Sequence, residues 1–286
     1  MKNKWIKALS ILSTVCLILG GAALIVGIVL GADIRDAWKQ SGNWNSITKY
    51  GVFSFFADED DQDDHDTEEL FDEDFSFQSQ DIKRINFDLK NVDLTIEENN
   101  SDDQIRIQIE NSGKNDISVK NNNGTLEIKD HRSKIGKTTK NIDVALDIPA
   151  DLELEDVLVE LGVGDVEIEK LLVKYTLNMK LGTGDVAIER LSAGTLDVSC
   201  GVGNLEIEKL WLEGSASIEG GVGDTRIGML ANENDFNYEI STGVGNVRIF
   251  DSEFRGLGGE KKISNGSDKE IVIHSGVGDM EIYQAN

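Results

Sequence analysis

The segment Gly162-Val-Gly-Asp-Val-Glu-Ile-Glu-Lys-Leu171 returns along the chain with small changes. Its corners are Gly162, Gly164 and Asp165; Gly182, Gly184 and Asp185; Gly201, Gly203 and Asn204; Gly221, Gly223 and Asp224; Gly243, Gly245 and Asn246; and Gly276, Gly278 and Asp279. Successive starts lie 20, 19, 20, 22 and 33 residues apart. A near-constant period of this length marks stacked supersecondary units, each with too little core to stand alone. After each early corner the pattern is period two: Val166-Glu-Ile168, Val186-Ala-Ile188, Leu205-Glu-Ile207. That is a strand with one buried face. A Gly-x-Gly cradle for dinucleotide phosphates needs a helix after the glycines, and this sequence signals none. The repeat predicts an all-β solenoid, β-helix-like, in coils of about 20 residues with two or three short strands each.

The glycines then have a geometric reason. If Leu161 points inward, unbroken alternation would send Val163 and Asp165 inward and Val166 outward, yet Val166 and Ile168 are the apolar members. The corner must shift parity by one residue, and glycine enters the required dihedrals without a Cβ penalty. The Asp or Asn that follows can hydrogen-bond backbone groups and close the bend. The 18 corner residues are therefore structural. Cys200 falls in the slot before a corner that Leu161 and Leu181 occupy elsewhere, a place for a buried thiol acting as a small apolar group.

Outside the repeat the chain changes character. Residues 1–7 form a short cytoplasmic N-terminus, and residues 8–32 carry no charge and are rich in Leu, Ile, Val and Ala. A run of that length exceeds what a bilayer core of about 30 Å requires, so it reads as one transmembrane helix in contact with membrane lipid; a signal peptide cleaved near the small residues Gly31 and Ala32 is the alternative. Lys2, Lys4 and Lys7 precede it, while Arg35, Lys39 and Lys49 follow more sparsely, which places the N-terminus inside and the C-terminal domain outside. Ala23, Gly27 and Gly31 leave helix pairing, and so oligomerisation, open. Residues 33–80 are expected to be an acidic, flexible linker, for Asp58–Asp74 holds 12 acidic residues in 17. Divalent cations should associate weakly with this strip, which lacks the spacing of a tight calcium loop. Residues 81–150 alternate less regularly and are expected to be capping strands; 151–286 are the regular coils. The wide last spacing predicts a protruding loop at 251–269, whose Phe254, Arg255, Lys261 and Lys262 are candidates for contact with a partner.

Charge and composition remove several functions. Formal net charge is -25, which repels nucleic acid and anionic lipid. With only Cys16 and Cys200, the domain has no internal disulfide to rely on. Three histidines, His65, His131 and His274, starve both zinc and Ser-His-acid readings. Glu167 and Glu169 are the outward members of a strand, so paired carboxylates here read as a solvated face. The chain is expected to be no enzyme and to bind no cofactor. Trp211, Tyr175, Phe236, Tyr238 and Phe254 are scattered aromatics that could stack on sugar rings wherever they are exposed.

The strands from Ile82, the Leu146-Asp-Ile-Pro149 segment and the six G-[VT]-G-[DN] corners together resemble the DUF4097 family of Gram-positive, membrane-associated β-solenoid proteins. The family carries an adhesin label and is related to envelope-stress-associated members. The resemblance covers Ile82–Tyr283 and supplies no catalytic residues. It implies a membrane-anchored, extracytoplasmic scaffold that meets an envelope protein or a glycan, with an adhesin or glycan-binding module as the alternative. A polysaccharide-active enzyme is the remaining reading.

Overall fold

The computed structural model describes residues 70–132 and 141–286. The apolar run at 8–32 and most of the acidic strip lie outside the described residues. Among the described residues no helix is long and apolar enough to cross a membrane.

The coils are clearest in the middle, in β7 (Glu153–Val163), β8 (Val166–Thr183), β9 (Val186–Val202) and β10 (Leu205–Leu212). In β8 the buried side chains are Val166 and Ile168, then Leu171 and Val173, then Leu177, Met179 and Leu181. A straight strand would step by two throughout. The steps from 168 to 171, from 173 to 177, and across the corner to Val186 break that period, so each coil bends three times. Tyr175 in the second bend is exposed, and pairing with β9 shifts register there, between Val173 and Thr176. Each coil thus has three flat runs and contributes to three faces. Face one holds Leu177–Leu181, face two Val166–Ile168, and face three Leu171–Val173.

Stacking is parallel and in register. Val166 pairs Val186 and Val186 pairs Leu205, while Leu177 pairs Leu196 and Leu196 pairs Ala216 of β11 (Ala216–Val222). Equivalent apolar residues therefore sit on one another along the axis. Each buried Leu, Ile or Val contributes about 1.5–3 kcal/mol relative to exposure, and the columns merge into one continuous core.

The two ends depart from the simple order that an unbroken repeat implies. At the C-terminal end, β12 (Thr225–Met229) is followed by β13 (Asn237–Ile249), β14 (Ser252–Ile263), β15 (Glu270–Val277) and β16 (Met280–Gln284). The last coil in sequence is not the last in space. β15 pairs in parallel with both β11 and β13, and β16 pairs with both β12 and β13. The Gly276 coil is thus inserted between the Gly221 and Gly243 coils. The segment 251–269, expected as a protruding loop, is mostly β14, an antiparallel strand paired along its length with β13. The extra residues before Gly276 build a cap and the return path for insertion.

The N-terminal end uses the same device. β2 (Arg84–Asn99) comes early in sequence yet stacks between β7 and β8 on one side and β5 (Thr125–Asp130) and β6 (Ile142–Pro149) on the other. Antiparallel strands finish this end: β4 (Ile117–Asn122) on β5, β3 (Gln104–Ser112) on β6, and β1 (Phe71–Gln78) on β3. The strand β1 corrects the expected linker boundary. Phe75 and Phe77 pack on the core, so Asp72, Glu73 and Asp74 of the acidic strip belong to a strand. Alternating phenylalanines outweigh the intervening acids because only one side of the strand is buried.

Candidate functional site

The glycine corners form a column along the solenoid. The second glycine of every motif has a positive φ, from 136° at Gly164 to 157° at Gly245. Close approach adds a second requirement: a Cβ on Gly203 would lie 1.9 Å from the carbonyl oxygen of Gly184, its counterpart one coil away. The acid or amide after it does not close its own bend. Its Oδ1 instead accepts the backbone N–H of the equivalent residue in the neighbouring coil. Asp185 N donates to Asp165 at 2.8 Å, Asn204 N to Asp185 at 2.7 Å, and Asp224 N to Asn204 at 3.0 Å. The inserted coil joins the same ladder, with Asp279 N donating to Asp224 at 2.7 Å and Asn246 N to Asp279 at 2.8 Å. The backbone N–H of Asn246, then its side-chain amide, hold the Asp279 carboxyl below the usual carboxylate range.

A seventh corner escaped the motif. Asp165 N donates to Asp93 Oδ1 at 3.0 Å, so Lys90-Asn-Val-Asp93 is a corner without glycine. The signal was the alignment of Leu94-Thr-Ile96 with Val166-Glu-Ile168, which pair in register. On its far side this corner is braced by an ion pair. The fully buried Asp130 carboxylate takes Arg132 Nη2 at 2.6 Å, and Arg132 also donates to Asn91 O at 2.8 Å.

Face two carries a cluster of outward acids. A shallow cleft of about 440 Å³ has Glu97, Glu167, Glu169, Glu189, Glu206 and Glu208 around Ala187. Toward the C-terminal end the acids alternate with arginines across coils: Glu206–Arg226 at 3.3 Å, Arg226–Glu281 at 3.2 Å, and Glu281–Arg248 at 2.9 Å. Solvated pairs like these are each worth about 0–1 kcal/mol, and their placement stitches the inserted coil to both neighbours.

Little here resembles a catalytic centre. Among the described residues, no group of three or more His, Cys, Asp and Glu is placed to hold a metal ion. Ser118 Oγ lies 2.7 Å from His131 Nε2, a contact that sequence spacing concealed, but both side chains are exposed on the β4–β5 edge. Cys200 is buried in the predicted slot, stacked between Leu181 and Gly220, and burial followed by the nearby Asp185 pushes its thiol up.

The aromatics divide sharply. Phe236 and Tyr238 are core residues, and Tyr238 donates its hydroxyl to Glu233 O at 3.1 Å. Phe254 and Arg255 lie on β14, paired through the backbone with Val247 and Asn246. Lys261 and Lys262 are on the same strand, and Lys262 pairs with Glu239 at 2.9 Å and Glu260 at 3.3 Å. By contrast, Trp211 is 48% exposed, Leu230 41% and Tyr175 51%. Trp211 stands on face three, in register with Ser192, which in turn pairs Leu172. The backbone of Leu230 continues the stack, its N–H donating to Leu210 O at 2.9 Å. The result is a row across four coils, Leu172–Ser192–Trp211–Leu230, in which three members are large apolar residues and one is a serine.

No curated protein matches the sequence significantly. Among solved structures, the chain is similar to a candidate cell-adhesion protein from Clostridium sporogenes, at 18% identity over 76% of this chain and 100% of that one, with a TM-score of 0.42. A candidate adhesin from Bacteroides fragilis gives 21% identity, coverage of 75% and 97%, and a TM-score of 0.42. A candidate lipid-binding protein from Parabacteroides distasonis gives 12%, 75% and 97%, and 0.30. The sequence profile of the toastrack family spans residues 82–208 and again 138–283, taking in the corners and nearly all the coils. The chain belongs to the toastrack DUF4097 family.

Proposed function

We propose that the protein is an adhesion-type interaction module of the cell envelope, anchored by its 8–32 segment with the solenoid outside the membrane. The observation that carries this reading is the exposure of Trp211 in the middle of a sheet face. A large aromatic ring left in water on a rigid solenoid, beside Leu230, offers the contact area typical of a binding hot spot. The solenoid holds that ring at a fixed position without needing an active site. The lysines before the apolar run support the outward placement of the domain.

Two measurements test the proposal. Protease added to intact, wall-stripped cells is expected to remove the solenoid, and full protection until lysis would refute the outward topology. Cells displaying the full chain should adhere to isolated envelope material, and Trp211→Ala should abolish most of that adherence at unchanged expression. Equal adherence by the variant would refute the role of the Trp211 face.

A further inference from the structure

We infer that Trp211 and Tyr175 are two platforms of one site for a neutral, linear oligosaccharide. This rests on the proposed adhesion reading and adds the ligand class and a second contact. Trp211 lies in β10, whose backbone is paired on both sides, with β9 and with β12. No free strand edge is available there for an extended peptide to join, which is the usual way a sheet captures one. A flat ring on a flat face instead suits a pyranose, which presents a face of C–H groups and an edge of hydroxyls.

The surface between the platforms is bare for a structural reason. Ser192, Gly194, Thr195 and Gly214 lie between or beside them, and a Cβ on Gly194 would come within 2.4 Å of Lys174 O. Thr195 donates its hydroxyl to Tyr175 O at 3.3 Å, which ties this floor to the bend carrying Tyr175. Trp211 and Tyr175 are separated by two coil spacings along the axis and three residues across it, measured from Leu172. The two backbone positions are therefore at most about 14 Å apart, within the span of a short oligosaccharide.

Charge selects among glycans. Exposed Lys209 and Glu213 flank Trp211, each two residues away. Lys174, whose ammonium lies 5.2 Å from the centre of the Tyr175 ring, adds a second cation. The lysines only donate hydrogen bonds and the glutamate only accepts them, so together they match hydroxyl groups, which do both, while the excess of lysine opposes a cationic glycan. A polyanionic glycan would also face the protein's overall charge of -25.

The test uses the full chain and saturation-transfer NMR with three trisaccharides: neutral triacetylchitotriose, the cationic chitosan trimer and anionic trigalacturonate. The neutral trimer is expected to bind, with Trp211→Ala and Tyr175→Ala each weakening it about two- to tenfold. Both side chains are exposed, so unchanged unfolding midpoints serve as the control for folding. Binding that needs Trp211 and ignores Tyr175 would overturn the two-platform site. Tighter binding of a charged trimer, or of a lysine-rich peptide, would overturn the ligand class. Either result leaves the Trp211 adhesion reading standing. Failure of every probe to depend on Trp211 would overturn both.

Discussion

Two glycines three residues apart make opposite predictions for the same substitution. Gly223→Ala puts a Cβ 1.9 Å from Gly203 O at a residue with φ of 145°. The left-handed conformation alone costs about 1–2 kcal/mol for a residue with a side chain. The overlap is worse than strain, because a carbon needs roughly 3.3 Å from that oxygen. The coils must part by more than about 1 Å, loosening the bond from Gly203 N to Val222 O and that from Asp224 N to Asn204 Oδ1. With about 1 kcal/mol for each bond, the variant should lose about 3–4 kcal/mol. Gly220→Ala is different. Gly220 occupies the inward slot between Cys200 and Ser275, and its Cβ would meet Thr225 Oγ1 at 3.8 Å and His274 O at 3.9 Å, both ordinary contacts. Reduced freedom of the unfolded chain stabilises by about 0.4–1 kcal/mol, and one more buried carbon adds about 0.8 kcal/mol. Urea unfolding of the two variants should therefore move in opposite directions, with midpoints about 2–3 M apart for a slope of about 2 kcal/mol/M. Similar midpoints, or loss of stability in Gly220→Ala, would refute the carbonyl-column account of the motif.

Three further outcomes follow from the same geometry. Asp185→Ala should cost about 1 kcal/mol in urea unfolding while Asp185→Asn costs little, since Asn204 and Asn246 already fill ladder positions; equal losses would show that the hydrogen bond is not what the ladder needs. The Asp279 carboxyl has a folded pKa below its unfolded one, so its stabilising contribution is complete above the unfolded carboxylate range and disappears as pH falls through the lowered value; Asp279→Asn should flatten acid unfolding there, and an unchanged profile would remove this contribution. In a Cys16→Ser background, Cys200 should react with a thiol reagent only at the rate of opening, because burial disfavours its thiolate; labelling as fast as in urea would contradict the packing.

The stacking of the middle coils was legible because it is written locally. Val166-Glu-Ile168 and its copies state which side is buried, and the parity shift at Gly162-Val-Gly-Asp165 demands a bend. The direction of the aspartate bonds was not legible, since a side chain closing its own turn and one reaching the next coil require the same residue. The seventh corner was hidden for a related reason. Gly164 needs its small size partly because Val92 O lies beneath it, whereas the Lys90–Asp93 corner has the Arg132–Asp130 pair on its far side. At Gly164 the glycine reports a close neighbour.

The order of the last coils shows where a repeat stops carrying information. Asp279 accepts from Asn246 and donates its own N–H to Asp224, so the Gly276 corner fits between the other two. The Gly243 corner has the same chemistry and could have stacked on Gly223 equally well by motif alone. What decides the order is the cap. β14 pairs antiparallel with β13 and covers the outer edge of the solenoid, leaving only the inner edge of β13 for β15. The Glu206–Arg226–Glu281–Arg248 ladder then favours the inserted order, because direct stacking of β13 on β12 would set Arg226 against Arg248. The same separation of tasks explains why Trp211 was visible only as a candidate. Its inward neighbours Leu210 and Leu212 fix the coil, and an outward position in a solenoid tolerates any residue, so local pattern says where Trp211 points but not what surrounds it. Its place in a row with Ser192, Leu172 and Leu230 emerges only when four coils are brought into register.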